Sequence, residues 1–189
     1  MATTPVAVVC LAEGFEDIET VTVVDVLRRG GVNVIVAAVS DSLEVKSAHG
    51  IVMRADVLLK NLGEEMWDAV ILPGGMPGTT NLANSPEVID AITRHAQARR
   101  LVCAICAAPT VLVSAGVLPP GVHVTCYPSC SVDLDRPCAN VPVVVDGNFI
   151  TGQAPGSAML FSLVILSTLM GETAASKVAR GMVTEVLEA

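Results

Sequence analysis

The ten residues 101–110, LVCAICAAPT, restrict what this chain can fold into more than any other stretch. The first five are apolar without interruption, which suits a strand buried on both faces. A helical pattern begins at once behind them, with Pro109 in its first turn, where a missing N–H costs nothing. A buried strand running directly into a helix is the repeating unit of parallel α/β sheets. Cys106 falls on the junction, at the carboxyl end of the strand and the amino end of the helix. There the helix macrodipole and unpaired N–H groups favour an anion. These residues therefore predict a lowered thiol pKa and a reactive thiolate. The competing account is an inert core thiol, since free Cys is among the most buried residue types.

The same unit recurs along the chain. Residues 5–11 (PVAVVCL), 32–39 and 67–72 (WDAVIL) are further apolar runs of strand length. After the first, Ile18, Val21, Val24 and Leu27 recur at helical spacing from Asp17 onward, and Gly30-Gly31 closes that helix. Residues 41–54 are shorter in pattern, more polar and broken by Gly50, which predicts a hairpin. Ser85-Pro86-Glu87 supplies an N-cap, a first-turn Pro and an early acid, and Arg94, Arg99 and Arg100 suit the far end of that helix. A short strand is expected over 122–125, irregular chain over 129–142, and a hairpin over 143–150 across Asp146-Gly147. Two helices, over 157–170 and 172–180, follow. With no repeat, linker or low-complexity tract, residues 1–189 are expected to form a single domain.

Composition excludes several classes. Hydrophobic residues make up 52% of the chain but aromatics only 3%, a balance that suits a sheet covered on both faces. The segment 158–170 is apolar nearly all round, yet Ser162, Ser167 and Thr168 interrupt it and it is shorter than the ~20 residues a bilayer requires. Its apolarity suggests burial on more than one side, a local hint of self-association. The N-terminus has no basic region, and Glu13, Glu16, Asp17 and Glu19 follow its apolar run, so it reads as a first strand and not a signal peptide. Six Cys then imply free thiols in a reducing compartment, the cytoplasm. A net charge of −8 opposes nucleic-acid binding and an anionic membrane surface alike.

In an open α/β sheet, ligands sit outside the carboxyl ends of the strands. Three loops meet there: 12–18, 73–78 and the Cys106 turn. Most of the acids in the first loop need do no more than offset a helix dipole. One of them, aimed at the neighbouring loop beside a thiolate, would have a raised pKa and could shuttle a proton. Gly74-Gly75 lets backbone N–H groups approach a ligand, and with the N–H of Ala107 they could bind an oxyanion. The sequence PGGMPG is neither a dinucleotide fingerprint nor a Walker A loop, so no nucleotide cofactor is expected. Cys103 and Cys106 have redox-pair spacing, but Cys103 falls inside the strand. Cys126, Cys130 and Cys138 with His123 match no common zinc spacing and read as core or surface thiols; no metal is expected. His49, His95 and His123 offer no Cys-His dyad.

Four blocks, LAEGFEDIET at 11–20, ILPGG at 71–75, AICAAP at 104–109 and GQAPGS at 152–157, resemble in order those of the ThiJ/PfpI superfamily. They are closest to its Parkinson disease protein 7-like branch. The resemblance implies a flavodoxin-like three-layer sandwich with a mostly parallel central sheet, a homodimer and no cofactor. It also implies a nucleophilic Cys106 on a strained elbow, hydrogen-bonded to a protonated Glu19. Gly75 and Ala107 would supply pocket N–H groups, with Gly74, Tyr127 and Pro155 completing the substrate site. The implied activity is a cysteine-dependent glyoxalase, or a deglycase of glycated proteins, acting on reactive dicarbonyls. The alternative, built on the same residues, is a redox sensor or chaperone whose thiol oxidises to a sulfinic acid. Two departures stand out. The protease-like branch carries His where this chain has Ala107, which opposes peptidase activity. Relatives often carry His where this chain has Tyr127, and His123 lies ~13 Å away along an extended strand.

Overall fold

The computed structural model describes residues 4–184. Its strands are β1 (Val6–Leu11), β2 (Asn33–Ala38), β3 (Glu44–Lys46), β4 (Val52–Arg54), β5 (Val57–Leu58), β6 (Ala69–Leu72), β7 (Leu101–Ile105), β8 (Val143–Asp146) and β9 (Phe149–Gly152). Its helices are α1 (Asp17–Arg29), α2 (Gly78–Ala83), α3 (Pro86–Gln97), α4 (Pro109–Ser114), α5 (Ala158–Met170) and α6 (Glu172–Gly181). Seven strands form one sheet in the order β5-β2-β1-β6-β7-β9-β8. Every pairing in it is parallel except β8 with β9, and β3 pairs with β4 as a separate antiparallel hairpin.

The alternation of side chains along β1 divides the core. Ala7, Val9 and Leu11 face one layer, made with Val23 and Leu27 of α1, Phe161 and Ile165 of α5, and Val178 of α6. Val8 and Cys10 face the other, made with Leu82 of α2, Val88 and Ile92 of α3, and Leu112 of α4. The result is a mostly parallel sheet covered by helices on both faces, the flavodoxin-like sandwich. Each fully buried Val, Leu or Ile contributes about 1.5–3 kcal/mol relative to exposure. This is why such aromatic-poor runs suffice for a core.

Capping follows the residues. Ser85 accepts from Val88 N at the start of α3, while Glu16 caps α1 by accepting from Glu19 N at 2.7 Å. His95 is a core histidine. Its Nε2 accepts from Trp67 N at 3.0 Å, its Nδ1 lies 2.7 Å from Ala91 O, and its ring stacks on Trp67 with centroids 5.0 Å apart.

One local expectation is corrected. Residues 122–125 form no strand; Val124 makes only an isolated bridge to Cys138. The chain there is held instead by Thr125 N donating to Thr151 Oγ1 at 2.9 Å. The helix behind Cys106 is short, ending at Ser114. The apolar segment 158–170 packs as α5 against α1, α6 and the sheet, and leaves Met159, Leu163 and Val164 only partly buried along an apolar groove. No helix among the described residues is long and apolar enough to cross a membrane.

Candidate active site

The nucleophile position is built by β7. Cys106 follows its last residue and adopts φ +64°, the left-handed region that non-glycine side chains rarely enter. Such a conformation costs about 1–3 kcal/mol and persists only where neighbours fix it. Here they do. Cys106 N donates to Gly152 O at 2.9 Å, and Tyr127 N donates to Cys106 O at 2.8 Å. Cys106 is 9% exposed, whereas Cys103 within β7 is fully buried. A dithiol role for the Cys103–Cys106 spacing is thereby removed.

Glu19 sits in the first turn of α1 and reaches across to the loop after β6. Its Oε2 accepts from Gly74 N at 2.8 Å, its Oε1 is buried with no hydrogen-bond partner, and its carboxyl lies close enough to Cys106 to raise the thiol electrostatically. A Cβ on Gly74 would lie 2.7 Å from the Cys106 Cβ and 2.9 Å from Glu19 Oε2, so only glycine fits between them. Gly75 has φ +91°, and a Cβ there would meet Glu16 N at 2.4 Å. The first and second loops are stitched together by Glu16 N to Gly74 O at 2.9 Å and by Asn81 Nδ2 to Glu13 O at 2.8 Å. Each of the four acids near the first loop thus has a distinct place. Glu13 offers only its backbone oxygen, Glu16 caps α1, Asp17 turns to His49 at 2.6 Å, and Glu19 alone faces the thiol.

Electrostatics around the pair overturn one expectation. Burial raises the Glu19 carboxyl to about 7 against the opposing hydrogen bond from Gly74. Burial and then the Glu19 charge push the Cys106 thiol up, while the N–H groups of Ala107 and Gly75 pull it down. A thiol lowered by a helix terminus is not what forms here. The helix behind Cys106 has only six residues and begins at Pro109, and a carboxylate competes for the same negative charge. Two acids this close shed their protons in separate steps that belong to the pair.

The remaining predicted residues differ in how they are tied to this elbow. Gly75 and Ala107 direct N–H groups toward the sulfur. Tyr127 is joined to Cys106 through its backbone, and its side chain is 44% exposed. Pro155 opens a 3-10 turn just beyond Gly152, which lies opposite Ile105 in the β7–β9 pairing. His123 is directed away, to Asp146 Oδ2 at 2.9 Å, so it is no substitute imidazole. Gly152 was not singled out by itself, although its carbonyl orients Cys106 and a Cβ on it would lie 2.9 Å from Ile105 and Phe161 atoms. Its place in the GQAPGS block was the available signal. Among the described residues, Glu16, Asp17 and His49 bring donor atoms within 4.8 Å of one another, but Glu16 and Asp17 already bond Glu19 N and His49.

Comparison with known proteins places this geometry. The model of the DJ-1/PfpI family matches residues 6–168. The chain belongs to this family. It is 37% identical over 178 residues to the Arabidopsis thaliana protein DJ-1 homolog A, covering 94% of this chain. The match spans 45% of that longer relative. It is 35% identical over 162 residues to the Caenorhabditis elegans protein named glutathione-independent glyoxalase DJR-1.2, covering 84% of this chain and 85% of the relative. The crystal structure of Drosophila melanogaster DJ-1beta superposes with a TM-score of 0.93 at 35% identity, covering 97% of this chain and all of the other.

Proposed function

We propose that this DJ-1-family protein is a cofactor-independent enzyme that converts small reactive dicarbonyls such as methylglyoxal or glyoxal to hydroxy acids. The observation that carries this reading is Cys106 at φ +64°, with Glu19 against its thiol and two backbone N–H groups converging on it. The name of the Caenorhabditis elegans relative supports the same substrate class.

In the singly charged pair, the reactive form places the anion on sulfur and the proton on Glu19. Cys106 Sγ adds to the aldehyde carbon, and its C=O electron pair becomes an oxyanion that accepts the proton held by Glu19. The N–H groups of Gly75 and Ala107 stabilise that charge as it develops. The Glu19 carboxylate next removes the hydrogen of the sulfur-bearing carbon as a proton, giving an enediol, and returns it to the adjacent carbon, while the hydroxyl proton of the hemithioacetal passes to that carbon's oxygen, leaving a thioester. Water hydrolyses the thioester to lactate, or to glycolate from glyoxal, and restores the thiol. The same addition to early glycation adducts of proteins would be deglycase activity.

Purified protein incubated with methylglyoxal and no glutathione should form lactate, with Cys106→Ala inactive and Glu19→Gln slowed at least 100-fold, within the range general acid–base groups supply. Equal turnover by either variant overturns the mechanism. Selective oxidation of Cys106 with negligible turnover would favour the redox-sensor reading.

We further propose self-association and a cytoplasmic location. Ile18 and Val21 on α1 are 56% and 54% exposed, and Ile51 and Val52 by the adjoining hairpin are 59% and 60% exposed. That hairpin is tied to the start of α1 by Ala48 N to Phe15 O at 2.9 Å. The result is one apolar face suited to a second copy. Sedimentation should show a dimer that Val21→Glu with Ile51→Glu dissociates.

A further inference from the structure

Sequence spacing gave Cys126 and Cys138 no role, yet the fold brings them together. Their sulfurs lie 3.3 Å apart, and both thiols are free. The backbones that carry them are already paired: Val124 bridges Cys138, with Ala139 N donating to Val124 O at 2.8 Å. Each segment is anchored independently. Thr125 N bonds Thr151 Oγ1 on β9, Tyr127 N bonds Cys106 O, and Arg136 Nη1 donates to Pro119 O at 3.0 Å. A disulfide needs its sulfurs ~2.05 Å apart, so forming one here brings the two sulfurs about 1.3 Å closer.

We propose that Cys126 and Cys138 form a reversible disulfide on exposure to a peroxide, an oxidation site separate from Cys106. The two thiols differ in a way that sets the order of events. Cys126 is 1% exposed, and burial pushes its thiol up to about 12, whereas Cys138 is partly exposed. Peroxide therefore meets Cys138 first. The Cys138 sulfur attacks one peroxide oxygen, the O–O bond breaks, and the departing hydroxide takes the thiol proton as water, leaving a sulfenic acid. Cys126 Sγ then attacks the Cys138 sulfur, the S–O bond breaks, and a second water leaves with the Cys126 proton. Two thiols and one hydrogen peroxide yield one disulfide and two waters. Because the partners are pre-positioned, the second step is intramolecular and outruns further oxidation of Cys138. Cys126 directly precedes Tyr127, whose N–H pins the Cys106 elbow, so the bond forms one residue from the candidate active site.

The test uses the full chain, reduced and then exposed to hydrogen peroxide, unfolded in denaturant at low pH, alkylated, cut before aspartate residues and read by tandem mass spectrometry. The same treatment is applied to a Cys106→Ser variant. In both proteins we expect two free thiols to disappear together and a cross-linked pair of fragments, Cys126 to Cys138, that dithiothreitol reverses. Cys138→Ser should abolish the cross-link, and Cys130→Ser should leave it intact. The proposal is overturned if Cys126 and Cys138 remain fully alkylatable after Cys106 is oxidised. It is equally overturned if Cys138 is joined to another cysteine, or if the bond forms only when Cys106 is present.

Discussion

Fifty-five residues separate Glu19 from Gly74, yet Gly74 N–H donates to Glu19 Oε2 at 2.8 Å. The absence of a side chain on Gly74 lets that carboxyl lie against Cys106. The contact therefore depends on a single missing methyl. Gly74→Ala must displace the thiol-bearing carbon or the carboxyl, and misplacement of about 1 Å costs roughly 100-fold in rate. Dicarbonyl turnover by Gly74→Ala should fall by that factor while thermal unfolding shows that the domain still folds. Undiminished turnover would disprove the packing account.

Burial of the Glu19 carboxyl carries a pH signature. Its folded value of about 7 lies above its ordinary 4.5, so the folded state holds this proton more tightly than the unfolded state does. The associated stability is full below about pH 4.5 and is lost as pH rises towards 7. Glu19→Gln removes the ionisation and should be more stable than wild type at pH 8, by roughly 3 kcal/mol at most. Denaturant midpoints from pH 4 to 8 check this: the difference between the two proteins must grow across that interval.

Thiol alkylation should rank the cysteines by burial and by the Glu19 pair. Cys10 and Cys103 are wholly enclosed by the core, so neither should react with iodoacetamide until the chain unfolds. Cys106 should react in the native protein, at a rate that climbs as the pair loses its first proton around pH 7. Peptide-resolved mass spectrometry gives each rate separately. Comparable native rates at Cys10 and Cys106 would refute the assignment.

His95 supplies a prediction about the fold alone. Its ring accepts the Trp67 N–H, and burial keeps its pKa below the ordinary 6.5. The stability this provides is present above pH 6.5 and is lost as pH falls below it. His95→Phe retains a ring against Trp67 but orphans that buried N–H, at about 1–3 kcal/mol. Chemical unfolding at pH 7.5 should show the loss.

The strands and long helices were legible because they rest on local patterns: unbroken apolar runs for β1, β6 and β7, and a Ser-Pro-Glu start for α3. Cys106 was legible too, since a strand passing straight into a helical pattern leaves a junction residue at the sheet's carboxyl edge. The short β5 and α2 carried no pattern long enough to read. The direction of the Cys106 shift was misread because the sequence places Cys106 near a helix start but cannot give that helix's length. Nor can it put Glu19 against the sulfur without the fold. The Cys126–Cys138 contact escaped for a related reason: its closeness comes from Val124 and Arg136 holding two irregular segments side by side, and neither segment has periodicity.

Cys106 extends from β7, which has β6 on one flank and β9 on the other. Interior strands are the last parts of a sheet to open, whereas sites on loops come and go with local fluctuations. A sulfur mounted there cannot be silenced by fraying at the edge of the molecule. On warming, turnover that depends on it should be lost only as the whole sheet melts, in the same cooperative step.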